Sequence, residues 1–225
     1  MKLKAMLMFC AALAASVMMA SDKPAIEGAE LGKWTMDIDA AKALAAETGK
    51  PIFMNFTGSD WCGWCQLMDK NIFSKAEWKD YAKENLVLVW IDFPKKADLV
   101  PEKFRERNQA LGKQYKVEGF PTYIVLDADG TTELGQLSAD PKAKPLDFAA
   151  QVEKVLVVSK LETLLSAEDY AAWKALDVEE KALEAAIIAW QKAAREEAVK
   201  FQKQEQAIEE KRNAILEKVL PKKAE

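Results

Sequence analysis

The sequence predicts an α/β fold, a central mixed β-sheet flanked by helices, followed by a long α-helical C-terminal extension. Strand-like apolar runs alternate with helical segments in the first part of the chain, which is typical of neighbouring parallel strands. Asp127-Ala128-Asp129-Gly130 is a hairpin turn signal, which adds an antiparallel pair. From Leu161 to Leu220 the chain has no glycine or proline, which favours helix throughout.

The first half of the predicted domain contains three helices and two strands. In chain order they are a helix over 37–48, a strand over 52–56, a helix reaching residue 73, a short helix carrying Trp78 and Tyr81, and a strand over 86–91. Asp39 is expected to cap the first helix, and Gly49 to end it. Ser74-Lys75-Ala76-Glu77 has the form of a capping box, which predicts the start of the short helix.

The second half continues with a helix, a hairpin and a further helix. They are predicted over 101–115, 123–126 with 131–137, and 146–159. In the extension, Ser166 is expected to cap one helix carrying Trp173, and a second, longer helix is predicted over 178–219. We therefore divide the chain into a signal peptide, a lead-in segment, an α/β domain and a helical extension, at residues 1–20, 21–33, 34–160 and 161–225.

The N-terminus has the form of a secretory signal peptide. Met1-Lys2-Leu3-Lys4 is followed by an apolar stretch from Ala5 to Ala20, which is short for a membrane-spanning helix, although an uncleaved anchor remains an alternative. Cleavage of the signal peptide would remove Cys10 and leave Cys62 and Cys65 as the only cysteines. Disulfides persist in exported proteins, so a periplasmic or otherwise extracytoplasmic location favours redox work by this pair.

The cysteine pair follows the first buried strand and lies on the first turn of a helix. The unpaired N–H groups and the positive dipole end of a helix stabilise a thiolate there. Cys62 is therefore expected to have a lowered pKa and to act as the nucleophile, with Cys65 as the resolving cysteine.

Two other interpretations of the pair are a metal half-site and a purely structural bridge. Structural zinc requires four Cys or His ligands, and this sequence has no histidine and no second cysteine pair. A bridge that closes so small a loop removes little chain entropy. We therefore expect a redox-active disulfide with no metal and no other cofactor. The net charge of −4 gives no reason to expect nucleic acid as a partner.

Two motifs carry a resemblance to thioredoxin. Trp61-Cys62-Gly63-Trp64-Cys65 at a strand–helix junction and Val117-Glu118-Gly119-Phe120-Pro121-Thr122 further on match that family. The lead-in Thr57-Gly58-Ser59-Asp60 is similar to exported thioredoxin-like proteins, in particular the C-terminal domain of transmembrane thiol:disulfide interchange reductases. The resemblance covers roughly residues 30–160 and implies a thioredoxin-like fold in which Pro121 is cis and faces the cysteines. A trans proline in a loop is the alternative.

The resemblance also implies which residues receive a substrate strand. These are Trp61, Gly63, Trp64, Phe120 and Thr122, with the two tryptophans forming an apolar rim unless they are partly buried in the core.

The sequence departs from thioredoxin at the two residues that manage protons there. The buried Asp falls on Asn55 and the Lys on Leu88, and neither side chain can titrate. Another acid is then needed near Cys65. Asp60 and Glu118 are the candidates for proton transfer, although the favoured interpretation of each is a solvated surface charge.

The helical extension carries an incomplete heptad pattern. Apolar residues recur every seven positions at Ile187, Ala194, Phe201, Ile208 and Ile215, but the second seam position turns polar after residue 190. Three interpretations remain open, which are a solvated helix docked on the domain, a homodimerising arm and a partner-binding helix.

The sequence as a whole favours an exported thiol:disulfide oxidoreductase, a reductase or an isomerase, acting on protein disulfides. A membrane thiol reductase would recharge it. The alternative is a redox-sensing or partner-binding scaffold module whose helical tail carries the function.

Overall fold

A five-stranded mixed sheet forms the centre of the first domain. The computed structural model describes residues 23–218, and its strands are β1 (Trp34–Thr35), β2 (Ile52–Thr57), β3 (Val87–Asp92), β4 (Thr122–Leu126) and β5 (Glu133–Ser138). Their order across the sheet is β1-β3-β2-β4-β5, with β3 parallel to β1 and β2, and β4 antiparallel to β2 and β5. The predicted mixed sheet is confirmed. The signal peptide predicted at 1–20 lies outside the described residues.

The helices fall into two compact units that divide between Lys160 and Leu161. The first unit contains α1 (Ile38–Thr48), α2 (Gly63–Met68) with a π-helical continuation (Asp69–Phe73), α3 (Ala76–Asn85), α4 (Glu102–Gln114) and α5 (Pro145–Val158). The second contains α6 (Leu161–Leu164) and α7 (Ala167–Leu216). Across residues 23–218, we find no helix with the length and apolar character needed to span a bilayer.

Both faces of the sheet are covered by helices, as predicted. Successive side chains of a strand point to opposite sides, so the apolar strands present side chains to pack on both faces. On one face, Phe53 of β2 packs among aromatic rings that include Trp78 of α3 and Phe148 of α5, at centroid distances of 5.4 and 6.3 Å. On the other face, Phe56 of β2 contacts Tyr115, just after α4, at 6.0 Å. These two apolar layers hold the carboxyl end of β2, where the cysteine motif begins.

Two predicted helix caps are wrong. Asp37, not Asp39, caps α1, because its Oδ1 accepts the N–H of Ala40 at 3.1 Å. The capping box predicted at Ser74 does not form, because the π-helical continuation keeps Ser74 helical and its hydroxyl donates to the carbonyl of Lys70 at 2.9 Å. Helix α3 therefore begins at Ala76 with no side-chain cap.

The extension also differs from the prediction of two helices. Ser166 caps a helix as expected, its Oγ accepting the N–H of Asp169 at 3.1 Å, but that helix is a single α7 of 50 residues. The expected break before Val178 is absent because no glycine or proline interrupts the helix there, and Asp177 pairs with Lys181 one turn on, at 2.7 Å. Strand β1 was not predicted, and the remaining elements shift by one or two residues at their ends.

Candidate active site

The cysteine pair lies at the junction between strand β2 and helix α2. Cys62 is the N-cap residue of α2 and Cys65 lies on its first turn, and a disulfide joins them with 5.3 Å between their Cα atoms. Each cysteine is 6% exposed, at the edge of the domain core. The pairing places both sulfurs at the carboxyl end of the central strand of the sheet.

Two groups contact the sulfur of Cys62, the residue predicted to be the nucleophile. Its Sγ accepts the main-chain N–H of Cys65 at 3.2 Å, and the helical stretch that follows directs its positive end to this position. The carbonyl oxygen of Phe120 lies 3.5 Å from the same sulfur and would accept a proton from a neutral thiol. The shorter N–H contact and the helix end act on this sulfur together.

The segment before β4 faces the sulfurs. The Phe120–Pro121 bond is cis, as the resemblance implied, and this segment brings the carbonyl of Phe120 to Cys62. The Thr122 hydroxyl donates to the carbonyl of Gly119 at 2.8 Å, which ties the two ends of the turn together. The two motifs that are 58 residues apart in the chain therefore meet at one site.

A groove of about 470 Å³ runs beside this site, and the residues that line it include the following: Trp64, Lys116, Glu118, Phe120, Pro121, Thr122 and Ser138. Three of the five predicted substrate-binding residues therefore line it. Gly63 lies on the first turn of α2, where an added Cβ would meet no atom within 4 Å. Trp61 lies on another side of the site.

Trp61 and Trp64 are both exposed, at 41% and 57%. The Trp61 ring packs edge-on against Phe120 with 5.7 Å between centroids, and its Nε1 donates to the carbonyl of Phe93 at 2.8 Å. Gly58 is required under this ring, because a Cβ there would lie 2.5 Å from it. The apolar rim expected from the two tryptophans is thus available at the surface.

The two candidate proton carriers differ in their surroundings. Both carboxylate oxygens of Asp60 are occupied, one by the N–H of Lys95 and one by the N–H of Lys96, each at 2.9 Å. Desolvation opposes the effect, but these hydrogen bonds hold the pKa of Asp60 below its ordinary value. Glu118 is exposed and lines the groove. Their roles in proton transfer stay predictions.

Sequence reasoning missed Asp92, a buried acid behind the cysteine loop. It ends β3 opposite Thr57, is 4% exposed, and accepts both the N–H and the hydroxyl of Ser59, at 2.9 and 2.6 Å. Burial raises the pKa of Asp92, although the Ser59 hydrogen bonds work against this. An acid directly after the most apolar strand-like run was the available signal. Asp92 anchors the loop that leads to Cys62.

The positions aligned with the proton-managing pair of thioredoxin are buried and unable to titrate. Asn55 is 2% exposed and lies on the same side of β2 as Phe53, the side that α2 covers. Its Oδ1 has no protein partner. Leu88 is also 2% exposed and pairs with Phe53 across the strands. In the part of the chain that the structure describes, no group of three acidic, Cys or His side chains is arranged to hold a metal ion.

Comparison with known proteins identifies relatives for the first domain. Residues 38–150 match the family model described as a thioredoxin-like domain. The chain is 43% identical over 112 residues to the disulfide bond reductase DsbH of Chlamydia pneumoniae, covering 50% of this chain and 64% of that protein. It is 27% identical over 117 residues to the thioredoxin-related protein DsbJ of the same organism, covering 50% and 33%. The chain thus spans less than two thirds of either relative.

A solved structure titled DsbH oxidoreductase is 36% identical to the chain. The match covers 57% of this chain and 86% of the chain in that structure, with a TM-score of 0.51. The range matched by the family model contains the cysteine pair and the cis proline that meet at the site. The chain therefore belongs to the thioredoxin-like domain family.

Proposed function

We propose that the protein is an exported thiol:disulfide oxidoreductase that reduces disulfides in other proteins through Cys62 and Cys65. One observation carries this proposal. Cys62 occupies a helix N-cap, accepts the N–H of Cys65, and lies against the carbonyl before the cis Pro121, beside an open groove. The relative that is 43% identical is named a disulfide bond reductase, which supports electron flow from the protein to its substrate.

The reaction proceeds in two exchanges. The Cys62 thiolate attacks one sulfur of the substrate disulfide, so a Cys62–substrate disulfide forms, the substrate S–S bond breaks, and the leaving thiolate takes up a proton. Cys65, once deprotonated, attacks the Cys62 sulfur and releases the second substrate thiol. Two electrons pass from the dithiol to the substrate, and the Cys62–Cys65 disulfide observed here is the product form of the protein.

The proton of Cys65 needs an acceptor other than a side chain at Asn55, which cannot titrate. Glu118 and Asp60 remain the proposed carriers. Glu118 is the better placed of the two, because it lines the groove beside Trp64 with its carboxylate exposed, whereas Asp60 is occupied by two main-chain donors.

Reduction, or isomerisation, is favoured over oxidation. Strong oxidants of this superfamily carry a histidine between the cysteines, and this chain has no histidine and places Trp64 there. Because the observed disulfide must be reduced again after each turnover, a thiol reductase in the membrane is the proposed electron donor. No cofactor beyond the cysteine pair is proposed.

Reduction of insulin by the protein, with dithiothreitol as the electron donor, tests the proposal. The wild type should reduce insulin, Cys62→Ala should not, and Cys65→Ala should accumulate a disulfide-linked complex that gel electrophoresis without reductant detects. An active Cys62→Ala variant would contradict the assignment of the nucleophile. A wild type that fails to reduce insulin or any small disulfide would contradict the proposed activity.

A second role, in assembly, is favoured by the helical extension. Helix α7 has no buried residue, and its seam presents Ile187, Phe201, Ile208 and Ile215 at 45–63% exposure. We infer that two copies pair along this seam. Light scattering should give twice the monomer mass for the full chain, and the monomer mass for Ile208→Lys. Gln206→Lys, on the opposite side of the helix, is the matched control. A monomer mass for the wild type would contradict the dimer, and the helix would then be either solvated or bound to another partner.

A further inference from the structure

A second depression, of about 370 Å³, lies next to the candidate active site on the side of α4. It is lined chiefly by the following residues: Phe93, Gln109, Gly112, Lys113, Lys116 and Val117. Lys116, Glu118 and Phe120 line both this depression and the groove beside Trp64, so the two cavities adjoin along the segment before Pro121. A substrate held at Cys62 therefore has this depression within reach on the α4 side.

The floor of the depression is apolar and continuous with the tryptophan rim. The rings of Phe93 and Phe120 lie 5.1 Å apart between centroids, and Phe120 in turn contacts Trp61 at 5.7 Å. Gly112 leaves the depression open, because an added Cβ would lie 3.4 Å from the Phe93 ring. An apolar side chain placed here would contact aromatic rings that also touch the residue preceding Cys62.

Two lysines line this depression, and a third lies over the neighbouring tryptophan ring. Lys113 and Lys116 line it, and Lys95 holds its Nζ 5.5 Å above the Trp61 ring. Glu118 also lines the depression, and it is the acid that faces these lysines there. Among residues 23–218, neither Lys113 nor Lys116 is engaged in an ion pair. Both ammonium groups are free to meet a carboxylate from a partner, on a chain whose net charge is −4.

Lys116 occupies a backbone position where glycine is usual. Helix α4 ends in a Schellman motif, with the N–H of Val117 donating to the carbonyl of Gly112 at 2.9 Å and the N–H of Lys116 donating to Lys113 at 3.2 Å. This motif requires a left-handed residue, and Lys116 has a φ of 50°. It is the one residue other than glycine with a positive φ in the described part of the chain. Backbone strain kept at such a position points to a use for the side chain.

We propose that this depression is a specificity site that binds an apolar side chain flanked by carboxylates in the substrate. Its apolar part consists of Phe93, Gly112 and Phe120, and its charged part of Lys113 and Lys116. The inference rests on the proposed function, because the substrate is held there while its disulfide meets Cys62. Aromatic rings receive the apolar side chain, and the two lysines attract the neighbouring acids. The preferred substrates are acidic polypeptides with an aromatic or aliphatic residue close to the disulfide.

Cystine peptides test the proposal in single-turnover reactions with the reduced full chain. One series carries a single Phe at each of the four positions flanking a half-cystine, with either Glu or Lys at its ends. The wild type should reduce the best Glu-flanked peptide on the order of tenfold faster than its Lys-flanked counterpart, and added salt should narrow the difference. Neutral 2,2′-dithiodipyridine reports the reactivity of Cys62 alone.

Two lysine variants separate the charge effect from folding. Lys116→Gly should raise the midpoint of urea denaturation, since glycine adopts the left-handed conformation without strain. The same variant should slow the reduction of the Glu-flanked peptide on the order of fivefold. Lys113→Gln should slow it similarly. Lys154→Gln, on α5 at the other face of the sheet, is the matched control and should change nothing. Rates with 2,2′-dithiodipyridine should stay the same in all three.

A filling variant tests the apolar part of the site. The wild type should reduce a peptide with Phe at the best position faster than one with Ala there. Gly112→Leu occupies the depression from a helical position that favours leucine, and it should abolish this difference in rate. Equal rates for Glu-flanked and Lys-flanked peptides in the wild type, or equal losses for both in the lysine variants, would overturn the specificity site while leaving the oxidoreductase intact. Failure of the wild type to reduce 2,2′-dithiodipyridine would overturn the proposed function itself.

Discussion

Replacing Asp92 should destabilise the loop that carries Cys62. In Asp92→Ala, the N–H of Ser59 loses its acceptor at 2.9 Å and the Ser59 hydroxyl loses its partner at 2.6 Å. Leaving a buried donor unpaired costs about 1–3 kcal/mol. Removing a desolvated carboxylate offsets part of this cost, since burial raises the pKa of Asp92. We therefore expect a net loss of about 1–2 kcal/mol in the free energy of unfolding.

Urea denaturation of the oxidised protein measures this loss, and a decrease of that size lowers the midpoint by about 0.5–1 M for a typical urea slope of ~2 kcal/mol per molar. Asp92→Asn keeps an oxygen for the Ser59 N–H and is the matched variant, which should lose much less. In a cycle with Ser59→Ala, the two losses should not add, because both remove the same hydroxyl contact. Equal stability of Asp92→Ala and wild type, or strict additivity in the cycle, would refute the anchoring role.

The stability of the wild type relative to Asp92→Asn should depend on pH, with a sign that follows from the raised pKa of Asp92. The folded protein holds the proton of Asp92 more tightly than the unfolded chain does, so its contribution to stability is complete below the unfolded pKa of about 3.9 and is lost as the pH rises through the raised folded pKa. Asp92→Asn lacks this term. Its stability relative to wild type should therefore increase from pH 4 towards neutrality, and a difference that falls over this range would contradict the burial argument.

Three further variants test other parts of the fold. Gly58→Ala should displace the Trp61 ring, which would lie 2.5 Å from the new Cβ, and slow insulin reduction more than reduction of 2,2′-dithiodipyridine; equal slowing of both would contradict a docking role for the ring. Trp78→Ala, at a fully buried position among aromatic rings, should cost about 3–5 kcal/mol in urea denaturation, and a loss under 1 kcal/mol would be inconsistent with that packing. Asp37→Ala should cost about 1 kcal/mol through loss of the α1 cap, whereas Asp39→Ala should cost little, and the reverse order would restore the cap predicted from sequence.

Local patterns predicted most of the domain because each depended on neighbours in the chain. The apolar run of β2, the turn at Asp127–Gly130 and the cap at Ser166 are all short-range signals, and the structure contains each of them. The cap of α1 was misplaced because Asp37 and Asp39 are both acceptable caps in sequence. Hydrogen bonds to Asp37 from outside the helix favour it, since its carboxylate accepts the N–H of Gly28 at 3.1 Å and its own N–H donates to the Thr35 hydroxyl at 3.0 Å.

Features built from distant contacts were beyond the sequence. The anchoring of Ser59 by Asp92 joins residues 33 apart, and it exists because β2 and β3 lie side by side in register at Thr57 and Asp92. The depression beside Phe120 likewise requires Phe93, at the end of β3, to meet the end of α4. A strand order is needed before either can be seen, and no spacing in the chain provides it.

The central claim, that Cys62 is the activated sulfur, is tested most directly by the pH dependence of alkylation of the reduced protein. Iodoacetamide reacts with thiolates, and peptide mass spectrometry assigns each modified cysteine. Because Cys62 Sγ accepts the Cys65 N–H at the helix start, it should be alkylated well below pH 8, where Cys65 remains unmodified. Alkylation of Cys65 first, or of both cysteines only near pH 8.5, would contradict the account.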